Sequence, residues 1–170
     1  MALILAGYLG DRYGCRLITG AAGMLVALLG MLLIVCLPLS NNIGRLFGYY
    51  LTQASANGFV ALLSLLSSNV AGYTKKTTVA ALYLIAYCTG NIIGPQTFRP
   101  KDAPRYIPAE VTIIVCYGVC ALELVLIYFY YKRLNKKNEA IRARPGYKKL
   151  DKQEFLDLTD KENHEFVYTL

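Results

Sequence analysis

The sequence predicts an all-α, membrane-embedded fold, and three observations carry that reading. The chain is 55% apolar, yet its charges are segregated instead of being spread along it. Residues 17–37, 46–74 and 77–98 hold no charge at all, and 111–131 holds one, Glu123. Roughly 20 apolar residues in a helix cross a hydrocarbon core of about 30 Å, so four crossings fit. In hydrocarbon every backbone N–H and C=O needs a partner within its own segment, which a helix supplies and an open sheet does not. Strand alternation is absent from these runs, which argues against a β-barrel.

The expected organisation is residues 1–16 as a helix end and loop, 17–131 as four transmembrane helices near 17–37, 46–71, 77–97 and 110–131, and 132–170 as a tail. Residues 1–6 lack a basic region and are too short for a signal peptide. They read as the last turns of a helix whose beginning is missing, which suggests a fragment of a longer protein. Residues 38–44, with Pro38, Asn41, Asn42 and Gly44, have turn chemistry. Thr77 or Thr78 is the expected cap of the third helix. Pro100, Pro104 and Pro108 make 99–108 a rigid, non-helical crossing. The first helix, with Thr19, Gly20, Gly23 and Gly30, has no strong polar stripe and is expected at the periphery. The tail begins basic and ends acidic, and 151–167 reads as partly disordered or as a short amphipathic helix.

Charge placement sets an orientation. With the turn at Arg12 and Arg16 in the cytoplasm, fourteen Lys and Arg fall inside and four outside (Arg45, Arg99, Lys101 and Arg105). Discounting the long tail, the decision rests on Lys132, Arg133, Lys136 and Lys137, close to the last helix end. The C-terminus is then cytoplasmic. The net charge of +7 does not imply nucleic acid, because the basic residues cluster beside helix ends as membrane proteins require. Five cysteines show neither a disulfide framework nor zinc spacing; Cys116 and Cys120 share a helical face and read as small packing residues. His164 stands alone, so neither a metal site nor a Cys/His or Ser/His/Asp set assembles. No cofactor loop appears, and an enzyme is not expected.

The uncharged polar residues of the middle helices carry the functional signal. Tyr49, Gln53 and Asn57 fall at i, i+4 and i+8, one helical face, with Ser64 and Ser68 beyond. Tyr83, Tyr87 and Asn91 repeat the pattern on the third helix. An amide facing lipid has nothing to bond with, so these residues face protein or a water-filled cavity. Two readings stand: the lining of a polar pathway, or interhelical hydrogen bonding. Gly90, Gly94 and Pro95 either bend the third helix or end it. Glu123 lies roughly 13 Å of helix rise before Lys132, near mid-membrane. An intramembrane carboxylate there points to proton coupling, to pairing with a segment outside this chain, or to a protonated packing residue.

The residues Gly7, Gly10, Asp11, Arg12, Gly14 and Arg16 form a Gly-x-x-Gly-Asp-Arg-x-Gly-x-Arg pattern that resembles the loop motif of the major facilitator superfamily. Cys15 departs from the motif's stronger form, where an Arg is common. The stretch 87–98, continued through Asp102, Pro104, Arg105, Tyr106, Pro108 and Glu110, resembles the eleventh-to-twelfth-helix region of fungal anion:cation symporters. Residues 155–163 are similar to the end of the allantoate permease branch. The resemblance implies that 1–16 is the end of helix 8 with its cytoplasmic motif loop. The four membrane runs are then helices 9 to 12, and the N-terminal half of the transporter is missing. It implies a multi-pass plasma-membrane protein, with lipid, a small organic anion and a proton as partners. The motif would act as a gate: Asp11 meets a helix N-terminus of the opposite half, while Arg12 and Arg16 pair with carboxylates or lipid phosphates. Helices 10 and 11, which bear the polar stripes, would border the pathway, and helix 12, with Glu123, would lie outside it. The expected activity is proton-coupled uptake of an allantoate-like anion, absent from this fragment alone. A nicotinate- or pantothenate-type permease and a non-transporting four-helix scaffold are the alternatives.

Overall fold

The computed structural model describes residues 7, 8, 10, 12, 14–147 and 157–170. Among them five α-helices follow one another: α1 Arg16–Cys36, α2 Asn42–Thr52, α3 Ser55–Ser68, α4 Tyr73–Gln96 and α5 Ile107–Arg142. One 3-10 turn, Pro100–Asp102, lies between the last two, and no strand occurs among the described residues. The fold is all-helical, and α1, α4 and α5 are each long and apolar enough to cross a membrane.

The hub of the bundle is α1. Its Leu17, Ala21 and Met24 join Leu65 of α3 and Ala121 and Leu124 of α5 in one buried cluster. The peripheral position expected for this helix does not hold within the chain, because α2, α3 and α5 all pack on it. Small residues make that possible. The carbonyl oxygen of Gly48 lies 2.6 Å from where a Cβ on Gly30 would sit, and the Gly30 carbonyl 2.8 Å from the Cβ position of Gly48. The two backbones touch with no room for a side chain. Between helices in lipid, such close van der Waals packing replaces the hydrophobic drive that water would supply.

The second apolar run is carried by two helices instead of one. Between α2 and α3 the backbone tightens: Gln53 N–H donates to Tyr50, Ala54 to Leu51, Ala56 to Gln53 and Asn57 to Ala54, each three residues back, at 3.0–3.3 Å. This is 3-10 geometry, about 120° per residue against about 100° in an α-helix. Everything beyond Gln53 is therefore rotated relative to α2.

Several helix ends differ from the sequence reading. α4 begins at Tyr73, ahead of the expected caps, and the hydroxyls of Thr77 and Thr78 instead donate back to the carbonyls of Tyr73 and Thr74, 2.8 Å each. Pro95 does not stop α4, which ends one residue later. Pro108 lies in the first turn of α5, where a missing N–H costs nothing because it would have no intrahelical partner. The guanidinium of Arg105 covers the end of α1, with Nη2 donating to the carbonyls of Val35 at 3.2 Å and Leu37 at 3.0 Å. α5 continues past the apolar run to Arg142, helped by the helix-forming Lys and Arg after 131.

The tail differs most. Its described part, 157–170, forms no helix. It lies in turns and irregular backbone against one end of the bundle, where α1 starts, α3 ends, α4 starts and α5 emerges. The Leu170 carbonyl accepts from Arg16 N–H at 2.7 Å, which satisfies one of the orphan donors at the start of α1.

Candidate functional site

The residues expected to line a pathway divide into two groups. Tyr49, Gln53, Tyr87 and Asn91 are exposed on α2 and α4 or at the tightened turn. Asn57 is not with them. Its Cβ lies 2.8 Å, and its Nδ2 3.1 Å, from the Cβ position of Gly23, so it lies against α1. The i, i+4 spacing from Gln53 to Asn57 presumes an unbroken α-helix; the 3-10 turn adds about 80° and swings Asn57 off the stripe. Its Oδ1 is buried and has no protein partner, and the same holds for the Tyr83 hydroxyl.

The tilted rings of Phe59, Tyr83 and Tyr87 meet at the α3–α4 seam. The Phe59 centroid stands 6.3 Å from Tyr83 and 6.0 Å from Tyr87. Phe59 was not singled out by its sequence, because an apolar residue in an apolar run gives no signal. Asn91 bonds within its own helix, its Nδ2 donating to the Tyr87 carbonyl at 2.8 Å. Tyr49 packs edge-on to Tyr50, 6.2 Å between centroids. α4 has no buried residue along its length. Tyr87 and Asn91 are thus exposed, while Tyr83 is half-buried at the seam, with Phe59 its aromatic neighbour from α3.

The motif residues lie at the end of the bundle where the tail docks. Arg16 Nη1 donates to Ser64 Oγ of α3 at 2.8 Å and so ties the turn to the helix after the 3-10 break. Arg12 donates to Tyr8 Oη at 3.0 Å. Gly14 has φ +62°, the left-handed region that favours glycine. At Gly10 an added Cβ would meet Thr19 Oγ1 at 3.1 Å, whereas at Gly7 it would meet nothing within 4 Å. Asp11 lies outside the described residues. Glu123 sits between buried Ala121 and Leu124 but is itself exposed, turned away from the apolar cluster. Cys116 is exposed, and Cys120 packs in part against the cluster. Among the described residues no group of three His, Cys, Asp or Glu could hold a metal ion.

Fold and site together define a class, an all-helical membrane protein built on membrane-length helices with polar positions on an unburied one. Known proteins narrow it. Over 99% of its length the chain is 38% identical to an uncharacterized transporter, C417.10, of Schizosaccharomyces pombe, covering 33% of that protein. It is 41% identical over 93% of its length to the MFS-type transporter cnsL of Penicillium expansum, covering 32% of it. It is 43% identical over 74% of its length to the allantoate permease of Saccharomyces cerevisiae, covering 23% of it. The chain is thus similar to fungal transporters, including one of major facilitator type, and spans about a third or less of their length. No protein-family model and no solved structure matches it.

Proposed function

We propose that the chain is the C-terminal third of a proton-coupled permease for a small organic anion of the allantoate type. α1 would be helix 9, α2 with α3 helix 10, α4 helix 11 and α5 helix 12, with the motif turn and the C-terminus on the cytoplasmic side of the plasma membrane. The observation that carries this reading is the 43% identity to an allantoate permease, joined to a membrane-length helix, α4, with no buried residue. A helix that leaves Tyr87 and Asn91 exposed, with Tyr83 half-buried beside Phe59, has no covering partner among the described residues. A missing N-terminal half, with a water-filled path between the halves, supplies one. Unpartnered Asn57 Oδ1 and Tyr83 Oη favour water or a polar solute nearby, since an orphaned buried polar atom costs about 1–3 kcal/mol. Tyr49, Gln53, Tyr83, Tyr87 and Asn91 are the lining residues in this reading, Asn57 is a packing residue that borders it, and Asp11, Arg12 and Arg16 hold the gate. Glu123 faces away from the cluster and is not assigned to coupling.

A second reading has support of its own. The thiamine pathway transporter THI73 of Saccharomyces cerevisiae is 33% identical over 99% of the chain, which favours a vitamin-like substrate in the same scaffold. A chimera separates the two. The matching 74% of the chain replaces the aligned 23% of the allantoate permease, and uptake of labelled allantoate is measured in cells lacking their own permease. Uptake supports the allantoate reading. A chimera that reaches the plasma membrane and takes up none contradicts it. The 170 residues alone should give no uptake.

A further inference from the structure

We propose that residues 157–170 form a strap that latches α4 to the body made by α1, α3 and α5, with the Lys75–Asp160 ion pair as its fastening point. The proposal stands on helix packing and does not depend on the transport reading.

The strap is held by side chains that recognise its backbone. A primary amide offers one acceptor and one donor, which match the N–H and C=O of a residue in extended conformation. Two asparagines use this match on consecutive residues. Asn69, at the end of α3, accepts from Thr169 N–H and donates to its carbonyl, 2.8 Å each. Asn135, on α5, accepts from Tyr168 N–H and donates to its carbonyl, again 2.8 Å each. Successive residues of an extended chain aim these groups to opposite sides, so the strap is gripped from both flanks, as a strand is between two neighbours. Asn138 adds a bond to the Phe166 carbonyl at 3.2 Å, and Arg142 one to the Glu165 carbonyl at 3.4 Å. Asn69 is 1% exposed and Tyr168 3% exposed, so this is an interior and not a surface contact.

A line of contacts then runs from α5 to α4. The Tyr168 ring stacks on Tyr131 of α5, 4.8 Å between centroids and 13° between planes. Its hydroxyl donates to the Asp160 carboxylate at 3.0 Å. The other Asp160 oxygen takes the Lys75 ammonium of α4 as an ion pair. Asp157 accepts from Tyr73 N–H at 2.6 Å, at the first turn of α4. These contacts matter because α4 has few others among the described residues. It buries no residue, and among the described residues it is further held by Lys76 donating to the Ser67 carbonyl at 3.0 Å and by the Phe59 ring contacts. An apolar helix with no fully buried residue, covered only in part along Lys75, Val79 and Tyr83, is positioned largely by what holds its end.

Two measurements on the 170-residue chain in lipid nanodiscs test this. Hydrogen exchange reads the strap, and electron–electron distance measurement between spin labels at positions 78 and 136 reads α4 against α5, in a chain whose five cysteines are changed to serine. In the unaltered protein the amides of Tyr168 and Thr169 exchange slowly and the distance distribution is narrow. Asn135→Ala, Asp160→Ala and Lys75→Met each raise exchange at 166–170 by about tenfold or more and broaden the distribution. Lys75→Arg keeps the charge and stays within about threefold of the unaltered protein. Unprotected exchange at 166–170 in the unaltered protein overturns the strap. A freed strap with an unchanged distribution overturns the latch on α4, and equal behaviour of Lys75→Met and Lys75→Arg overturns the ion pair as its fastening.

Discussion

α1 and α4 are both membrane-length and both carry glycines, yet they occupy opposite environments. α1 is wedged among α2, α3 and α5, and its Leu17 and Ala27 are almost wholly buried. α4 buries nothing. Apolarity alone therefore does not say whether a membrane helix meets protein or lipid. Nor do glycines alone; they allow backbones to approach, and what separates the two helices is whether a neighbour lies against them. On α1 the glycines at 20, 23 and 30 all meet another helix, whereas an added Cβ at Gly90 or Gly94 of α4 meets nothing within 4 Å.

The largest test of that contrast is a pair of glycine substitutions. Gly30→Leu drives a side chain into the backbone of α2 and should cost about 3 kcal/mol or more. Gly90→Leu enters open space and should be neutral or stabilising, by up to about 1 kcal/mol of helix propensity. Thermal unfolding in mild detergent reads both; equal losses would erase the distinction. Truncations come next. Leu124→Ala removes a fully buried side chain of the cluster and should cost about 2–5 kcal/mol. Leu82→Ala, on exposed α4, should stay within about 0.5 kcal/mol.

Smaller is the pH dependence of tail docking. Burial pushes the Asp160 carboxyl up, but hydrogen bonds from Lys75 and Tyr168 and the Lys75 charge bring it below its ordinary 3.8. A depressed folded value means that its contribution is complete above the ordinary pKa and is lost as pH falls below it. Tyr168 runs the other way. Burial, with the neighbouring Asp160, raises its hydroxyl above 10.0, so its contribution holds below 10 and fades above. With Tyr130 and Tyr131 the other tyrosines beside it, exchange at 166–170 in a His164→Gln background, which removes the imidazole of the strap itself, should, corrected for intrinsic rate, be slowest between about pH 4 and 10. A change centred near neutrality would contradict both assignments. The smallest effect is Glu123→Gln, which should move stability by less than about 0.5 kcal/mol and leave uptake by the chimera intact; loss of uptake would restore a coupling role.

The helices were legible in the sequence because long charge-free runs leave the backbone no other way to satisfy itself. What was lost lay in local geometry and in distant pairing. Nothing in the residues around Gln53 announces a 3-10 turn, and a periodicity argument carried across it put Asn57 on the wrong face. Glycines at 20, 23 and 30 were visible but were weighed less than the missing polar stripe, which hid the central place of α1. The tail read as polar and loose because its partners, Asn69, Asn135 and Lys75, are far along the chain and each is ordinary where it stands. Asn69 and Thr169 are 100 residues apart, and no spacing rule reaches that far.

The central claim is that membrane-length helices cross a bilayer with α1 enclosed and α4 open. Spin labels placed singly at 24, 27 and 31 on α1 and at 82, 85 and 92 on α4, in the chain in lipid vesicles, test it through collisions with oxygen, which concentrates in lipid, and with a water-soluble nickel complex. High oxygen and low nickel accessibility is expected at the α4 positions, and low accessibility to both at the α1 positions. Nickel reaching the middle of α1, or α1 and α4 responding alike, would contradict it.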